Sequence, residues 1–129
     1  PPPANVQTIL PGHRILVVDD EPDVIAILQR MLTREGQEVI TAQSGAEGLA
    51  ALESASYDMV LTDLGMPDMS GVAIAHRARQ INPDMPVILV TGWEATITPE
   101  QLTEMGATGV LAKPFTYAQL RALLAAYLD

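Results

Sequence analysis

The chain has 129 residues and no cysteine, and its 16 acidic and 7 basic residues give a formal net charge of −9. This length suits a single domain, and a hydrophobic content of 48% predicts a packed core. The lack of cysteine excludes disulfides and thiolate metal sites, and the acidic balance argues against contact with nucleic-acid phosphates. No apolar run approaches the roughly 20 residues that span a bilayer, and no secretion signal is recognisable.

The first residues differ in composition from the rest of the chain. Residues 1–13 open with three prolines and show no hydrophobic periodicity, so we interpret them as a linker or tail. The chain does not begin with methionine, and we therefore expect it to be a fragment of a longer protein. One folded domain is predicted over residues 14–129.

From Arg14 onward, apolar runs of strand length alternate with amphipathic stretches of helix length. Such runs are typical of strands that are buried on both faces of a sheet. The predicted strands cover residues 15–18, 39–42, 59–62, 87–90 and 109–112. Five successive βα units predict an α/β fold with a five-stranded parallel sheet that is doubly wound, or flavodoxin-like.

Helix boundaries are marked by proline, capping residues and glycine. The signals that begin four helices are Pro22, Ser44 with Glu47, Thr98-Pro99, and Thr116 with Gln119. Gly36 and Gly106 are predicted to end the first and fourth helices. The predicted apolar face of the first helix consists of Val24, Ile27, Leu28, Met31 and Leu32, and that of the last consists of Tyr117, Leu120, Leu123, Leu124 and Tyr127.

Polar residues at the carboxyl ends of the strands form the most informative pattern. Asp19 and Asp20 follow strand one, Asp63 follows strand three, Thr91 follows strand four and Lys113 follows strand five. In open α/β sheets the carboxyl ends of the strands lie at one edge, where ligands bind. We therefore expect these five side chains to meet in one pocket.

These residue types suit phosphoryl transfer. Neighbouring carboxylates repel one another and require a cation, and oxygen ligands without His or Cys favour Mg²⁺. A carboxylate held beside Mg²⁺ can act as a nucleophile toward phosphorus. Lys113 and the metal would stabilise charge on the transferred oxygens, and the Thr91 hydroxyl offers a hydrogen-bond donor.

Each feature alone also has an ordinary structural explanation. An acidic pair after a strand often begins a helix, Lys-Pro is commonly a turn and Thr-Gly a loop. Those explanations do not account for functional groups at four strand ends together. A nucleotide-binding enzyme is disfavoured because no Gly-rich phosphate loop follows strand one. A phosphohydrolase with an Asp nucleophile would usually carry a second Asp where Gly65 stands.

Four motifs carry a resemblance to a known family. They are Val18-Asp19-Asp20-Glu21, Asp63 with Met66-Pro67 and Gly71 after it, Thr91, and Lys113-Pro114-Phe115. In order and spacing they resemble the receiver domain of two-component response regulators, over about residues 13–129. The resemblance implies a bacterial phosphoacceptor domain of two-component or phosphorelay signalling. A degenerate receiver that only binds partners is the alternative, and the full set of site residues argues against it.

The resemblance also implies a role for each site residue. Asp63 would take the phosphoryl group from a phosphohistidine on a kinase or phosphotransfer protein. Mg²⁺ would be held by the side chains of Asp20 and Asp63 and by the Gly65 carbonyl, with Asp19 helping through water. Lys113 would contact the phosphoryl group, Thr91 would move toward it, and the Lys113–Pro114 peptide bond would be cis.

The resemblance further implies a signalling domain and not an enzyme with a separate substrate. We expect it to catalyse its own phosphorylation and dephosphorylation, to bind no nucleic acid and to make no direct membrane contact. A cytoplasmic location is expected, in the C-terminal receiver of a hybrid sensor histidine kinase, and this expectation is compatible with a membrane anchor elsewhere in that kinase.

Two departures from the family pattern affect signal output. Val110 stands where the family often has Tyr or Phe, so an aromatic side chain cannot switch there. Gly65 and Trp93 occupy the positions that tune dephosphorylation in the family. Gly65 leaves no side chain beside the phosphoryl group, whereas Trp93 is expected to shield it from water.

Three further residues have competing interpretations. Ile25 is either a peripheral core residue or a docking contact for the histidine-bearing partner, which in this family packs on the first helix. His13 and His76 are expected at solvated or edge positions, because neither has a metal-binding partner at helical spacing.

Overall fold

The computed structural model describes residues 12–92 and 97–128. Within these ranges the strands are β1 (Arg14–Val18), β2 (Glu38–Ala42), β3 (Met59–Asp63), β4 (Val87–Thr91) and β5 (Gly109–Ala112). The helices are α1 (Pro22–Arg34), α2 (Gly45–Ser54), α3 (Gly71–Ile81), α4 (Pro99–Glu104) and α5 (Tyr117–Tyr127). None of these helices has the length and apolarity that a bilayer crossing needs. Most of the expected tail, residues 1–11, lies outside the described residues, so the boundary at residue 13 stays a prediction.

All strand pairs are parallel, and the strand order is β2-β1-β3-β4-β5. The predicted doubly wound, flavodoxin-like sheet is therefore confirmed. The chain order reverses between β1 and β3, which pair directly. In folds of this kind a ligand site lies at such a reversal, beyond the carboxyl ends of the strands.

The sheet is buried on both faces by two separate hydrophobic clusters. Alternate residues of β1 serve opposite clusters, because successive side chains of a strand point to opposite faces. Ile15 and Val17 pack with α1 and α5, whereas Leu16 and Val18 pack with α2 and α3. All four are at most 1% exposed. Burial of such side chains, worth about 1.5–3 kcal/mol each, holds the strand ends in register.

The apolar face of α1 is rotated from its predicted position. Ile27, which was expected on that face, is 44% exposed, whereas Ile25 is only 6% exposed. Residues advance by about 100° around a helix, so a stripe centred on Leu28 includes Ile25 and leaves Ile27 outside. In α5, Tyr127 is likewise 36% exposed, although Leu120 is fully buried as predicted.

The helix-start predictions are confirmed with one change. Thr98 with Gln101 and Thr116 with Gln119 form complete capping boxes. At α2, Ser44 Oγ accepts a hydrogen bond from the Glu47 N–H at 3.1 Å, as predicted. The Glu47 carboxylate, however, accepts from the N–H of Gln43 instead of that of Ser44, because it reaches one residue further back. Gly36 and Gly106 follow α1 and α4 with φ of +84° and +77°.

The start of α3 packs tightly behind the end of β3. A Cβ atom on Gly71 would lie 2.1 Å from the Asp63 carbonyl oxygen, a backbone atom that cannot move alone. The Gly71 N–H also donates to the Leu64 carbonyl at 2.8 Å. A residue without a side chain is therefore required where the two segments meet.

We predict that Gly71→Ala lowers the free energy of unfolding by about 1–3 kcal/mol, because the added methyl group must displace backbone at Asp63. Gly65→Ala is the matched control, since a Cβ at Gly65 would have no atom within 4 Å. Urea unfolding of both variants measures the difference. Equal losses of stability would show that this close approach is not a constraint.

Candidate functional site

The predicted strand ends meet at one edge of the sheet. Asp63 and Thr91 are the last residues of β3 and β4, while Asp19 and Lys113 directly follow β1 and β5. Because these four strands are parallel neighbours, their last residues lie side by side. The arrangement gathers groups from distant parts of the chain into one polar pocket.

Asp19, Asp20 and Asp63 form an acidic cluster in this pocket. Each contributes one carboxylate oxygen to a group whose atoms lie within 4.8 Å of one another. Asp19 is 1% exposed and Asp63 is 7% exposed, whereas Asp20 is partly buried. Carboxylates that are this close and this dry cannot all be charged without strong repulsion. The cluster therefore favours either a bound proton or a bound cation.

Among the three carboxylates of the cluster, Asp63 has a clearly raised pKa. Burial raises the pKa of Asp63 to about 6, and the charge of Asp19 contributes to the rise. A side-chain hydrogen bond with Asp20 raises this pKa too, whereas the charge of Lys113 and the Gly65 N–H lower it. The Asp63 carboxylate is therefore charged at neutral pH in surroundings that disfavour its charge.

Lys113 supplies the positive charge among the described residues of the pocket. Its Nζ lies 3.0 Å from Glu21 Oε1, 3.1 Å from Asp19 Oδ2 and 3.7 Å from Asp63 Oδ1. Burial opposes the charged form, but hydrogen bonds with Glu21 and Asp19 and the charges of Asp19 and Asp63 raise the pKa of Lys113. Lys113 stays charged and lies nearer to Asp19 and Glu21 than to Asp63.

The donor atoms fit a hard divalent cation. Asp19 Oδ1 accepts the Glu21 N–H at 2.9 Å, whereas the buried Oδ2 lies 3.1 Å from the Lys113 ammonium. The Lys113 ammonium balances only part of the charge of the buried carboxylates of Asp19 and Asp63, and a cation would relieve the remaining cost. Clustered carboxylates without nitrogen or sulfur match the preference of Mg²⁺.

Thr91 and Lys113 are fixed beside the cluster by the ends of β4 and β5. The Thr91 carbonyl accepts the Lys113 N–H at 2.7 Å, and Thr91 is 4% exposed. The Lys113–Pro114 peptide bond is cis, as predicted. The ends of β4 and β5 therefore bring Thr91 and Lys113 next to each other on one side of the acidic cluster.

Other sequence predictions have mixed outcomes. Val110 is 36% exposed on β5, and Trp93 lies outside the described residues. Ile25 belongs to the core beneath α1, so its interpretation as a docking contact is wrong. His76 is exposed, as expected, and its Nε2 lies 2.9 Å from the Glu104 carbonyl oxygen. His13 is partly buried where β1 begins, at the opposite end of the strand from the acidic cluster.

Two contacts of the site were missed from the sequence. Glu21 was noted within its motif, but its ion pair with Lys113 joins residues 92 positions apart. Asp68 was not singled out from the sequence, yet its carboxylate accepts hydrogen bonds from the N–H groups of Gly45 and Ala46 at the start of α2. Local pattern carries no signal for either contact, because each depends on how distant segments pack.

Comparison with known proteins agrees with this geometry. The family model for the response regulator receiver domain matches residues 15–125. The transcriptional regulatory protein GlrR of Escherichia coli is 38% identical over 104 residues, which are 81% of this chain and 23% of that protein. The chain spans about half or less of the length of the curated relatives it matches.

Solved structures give the same result. Response regulator TrrA from Thermotoga maritima, in complex with Mg²⁺-BeF, has a TM-score of 0.79 and 35% identity, covering 89% of this chain and 98% of that one. The receiver domain of sensor histidine kinase PA1611 from Pseudomonas aeruginosa, with a magnesium ion in its active-site cleft, has a TM-score of 0.80 and 27% identity, covering 91% and 98%. The chain therefore belongs to the response regulator receiver domain family, the phosphoacceptor domains of two-component signalling.

Proposed function

We propose that Asp63 is the phosphoacceptor of this receiver domain and that Lys113 and Thr91 assist the transfer. The observation that carries the proposal is the buried acidic cluster, with the Lys113 ammonium 3.7 Å from Asp63 Oδ1. Asp63 is central to the cluster, since it faces Asp19, Asp20 and Lys113 together. Its raised pKa reflects an anion whose environment favours capture of a cation or of a phosphoryl group.

The chemistry follows from these groups. An oxygen of the Asp63 carboxylate attacks phosphorus, a P–O bond forms, and the P–N bond of the phosphohistidine donor breaks. The imidazole nitrogen leaves with the bonding electron pair. Lys113 stabilises negative charge on the transferred oxygens, and the Thr91 hydroxyl donates a hydrogen bond to one of them.

Asp19, Asp20, Asp63 and the backbone carbonyl of Gly65 are the residues that would hold Mg²⁺. When bound, the ion neutralises the clustered carboxylates and polarises the phosphoryl oxygens. The magnesium-containing structures of TrrA and PA1611 support this proposal by similarity. Hydrolysis of the aspartyl phosphate would return the domain to its starting state, so catalysis acts on the domain itself and not on a separate substrate.

Incubation with acetyl phosphate and Mg²⁺ should add one phosphoryl group to the wild-type chain. Asp63→Asn should add none, because an amide is not a nucleophile toward phosphorus, and omission of Mg²⁺ should abolish labelling of the wild type. Intact-mass spectrometry measures all three. A folded wild-type chain that neither gains mass nor binds Mg²⁺ would instead indicate a receiver that only binds partners.

Without metal, Asp63 should make stability depend on pH. The pKa of Asp63 is about 6 in the folded state, above the 3.8 of an unperturbed aspartate, so its protonated form favours folding. That contribution to stability is fully present below about pH 3.8 and is lost as the pH rises through 6. In EDTA, Asp63→Asn should therefore be more stable than the wild type near pH 7, by about 1–3 kcal/mol. Near pH 4.5 the difference should shrink.

Urea unfolding at the two pH values measures this difference. Asp84→Asn is the control, because it removes one negative charge from an exposed position. Mg²⁺ should remove the disadvantage of the wild type at neutral pH. If the wild type and Asp63→Asn differed in free energy of unfolding by the same amount at both pH values, the folded state would not disfavour the charged form of Asp63.

The partner is proposed to be a histidine kinase or phosphotransfer domain that carries phosphohistidine and docks on α1. Ile27 is 44% exposed there, and it lines a groove of about 400 Å³ together with Val24, Phe115 and the site residue Lys113. The groove opens beside the acidic cluster, where a donor histidine must approach. An apolar surface around the donor histidine would complement it.

Ile27→Asp should slow phosphotransfer from a phosphohistidine donor by about tenfold, because a charge in the apolar groove disfavours docking. Labelling by acetyl phosphate should be unchanged, since a small donor needs no docking surface. Ile81→Asp is the matched control, because Ile81 is 42% exposed on α3. Rates are measured with whichever phosphorylated histidine-phosphotransfer protein labels the wild-type chain. Equal loss with both donors would refute a docking role.

The remaining predictions concern the parent protein and the location. The relatives at 37–38% identity are transcriptional regulatory proteins, whereas PA1611 is a sensor histidine kinase at 27% identity. The motif from Asp63 to Pro67 supports placement in a hybrid kinase, which stays a prediction together with the cytoplasmic location. The net charge of −9 supports the proposal that this domain does not bind nucleic acid directly.

A further inference from the structure

We infer that Asp68 is a positioning residue that holds the metal-binding loop against α2. Through this contact, α2 sets the distance between the Gly65 carbonyl and the carboxylates of Asp19 and Asp20. The site loop is defined as residues 64–70, between β3 and α3. The inference rests on the proposed function, because it concerns the Gly65 carbonyl as a metal ligand. Asp68 itself does not belong to the proposed ligand set.

One end of the site loop is fixed by its own backbone. The Leu64 carbonyl accepts hydrogen bonds from the Gly71 N–H at 2.8 Å and from Ser70 Oγ at 3.3 Å. An isolated antiparallel bridge joins Gly65 to Ser70. Gly65 has no side chain, and a Cβ atom added there would have no atom within 4 Å. Gly65 therefore has no side-chain packing of its own to fix its carbonyl.

The outer part of the loop is held by Asp68. Its carboxylate accepts the N–H of Gly45 at 3.0 Å and the N–H of Ala46 at 2.9 Å. These N–H groups belong to the first turn of α2 and have no acceptor within the helix. Both hydrogen bonds lower the pKa of Asp68, so that the group is charged at neutral pH. A carboxylate at a helix N-terminus is also favoured by the helix dipole.

The same helix lies directly on the strand that carries the other metal ligands. A Cβ on Gly48 of α2 would lie 3.0 Å from both methyl groups of Val18. Val18 is the last residue of β1 and is followed by Asp19 and Asp20. The helix backbone therefore touches the strand end on one side, while its first turn binds Asp68 on the other.

Through these two contacts, α2 connects two parts of the proposed metal site. It links the strand end with Asp19 and Asp20 to the loop with Gly65, and Asp68 is the polar part of that link. Removing the Asp68 carboxylate would free the outer loop and leave the strand end in place. The Gly65 carbonyl would then be held only by the backbone contacts of Gly65 with Ser70 and Asp63, its distance from the carboxylates of Asp19 and Asp20 would vary more, and metal affinity would fall.

The test is the Mg²⁺ dependence of acetyl phosphate labelling in the full chain, together with direct calorimetric titration with MgCl₂. For Asp68→Ala, the half-saturating Mg²⁺ concentration should rise by about tenfold, as is usual when a group that orients a ligand is lost. The maximal rate at saturating Mg²⁺ should be unchanged. Asp68→Asn retains one acceptor oxygen and should give an intermediate shift. Asp84→Ala removes the same charge from an exposed turn and should give no shift.

The outcomes separate the inference from the proposed function. If the wild type binds Mg²⁺ and Asp68→Ala binds it equally well, the inference is overturned and the proposed function stands. If Asp68→Ala lowers the maximal rate or the stability without changing the half-saturating concentration, its role is merely structural and the inference is also overturned. If the wild type shows no Mg²⁺ dependence, the proposed metal site fails, and the inference fails with it. Should Asp68→Ala not fold, the Asp68→Asn titration decides.

Discussion

The repulsion between two nearly dry carboxylates, Asp19 and Asp63, dominates the functional end of this domain. Asp19 follows β1 and Asp63 ends the adjacent strand β3, and both side chains are buried. Lys113 compensates part of their charge but lies closer to Asp19 and Glu21 than to Asp63. The remaining unfavourable charge at Asp63 explains both its raised pKa and the fit of the cluster to a divalent cation.

Apolar packing on both faces of the sheet holds this acidic cluster together despite its electrostatic repulsion. Buried apolar residues above and below β1 and β3 fix the strand ends, so that the carboxylates cannot move apart into solvent. The close approach at Gly71 and the contact of Gly48 with Val18 tie the neighbouring helices to the same ends. Apolar packing thus offsets the cost of concentrating negative charge, which is the general condition for a preorganised polar site.

Much of the fold and of the site was predictable from the sequence, because all strands of a parallel sheet have their carboxyl ends at the same edge. Each apolar run ends at one edge, so the residues that follow four runs had to meet there. Side-chain direction on helices was less predictable. Ile25 and Ile27 are both apolar, and only packing against α5 and the sheet decides which one is buried. The contacts of Asp68 and Glu21 join segments more than 20 residues apart, and no local pattern encodes them.

The replacement of an aromatic residue by Val110 leaves this domain without one of the family's usual output side chains. Val110 lies at the exposed surface of β5, and the acidic cluster does not depend on it. The geometry of the acidic cluster is therefore independent of the side chain at position 110. The proposed phosphorylation chemistry uses the strand ends and the site loop, and a signal passed on from them would use contacts other than an aromatic side chain at position 110.

Chemical mapping of the phosphorylated residue would establish whether Asp63 is the phosphoacceptor. Borohydride reduces an aspartyl phosphate to homoserine, and peptide mass spectrometry then identifies the position that was converted. We predict homoserine at position 63 after treatment with acetyl phosphate and Mg²⁺, and unmodified aspartate at positions 19 and 20. Conversion at either of those positions, or a stable label on a histidine, would contradict Asp63 as the phosphoacceptor.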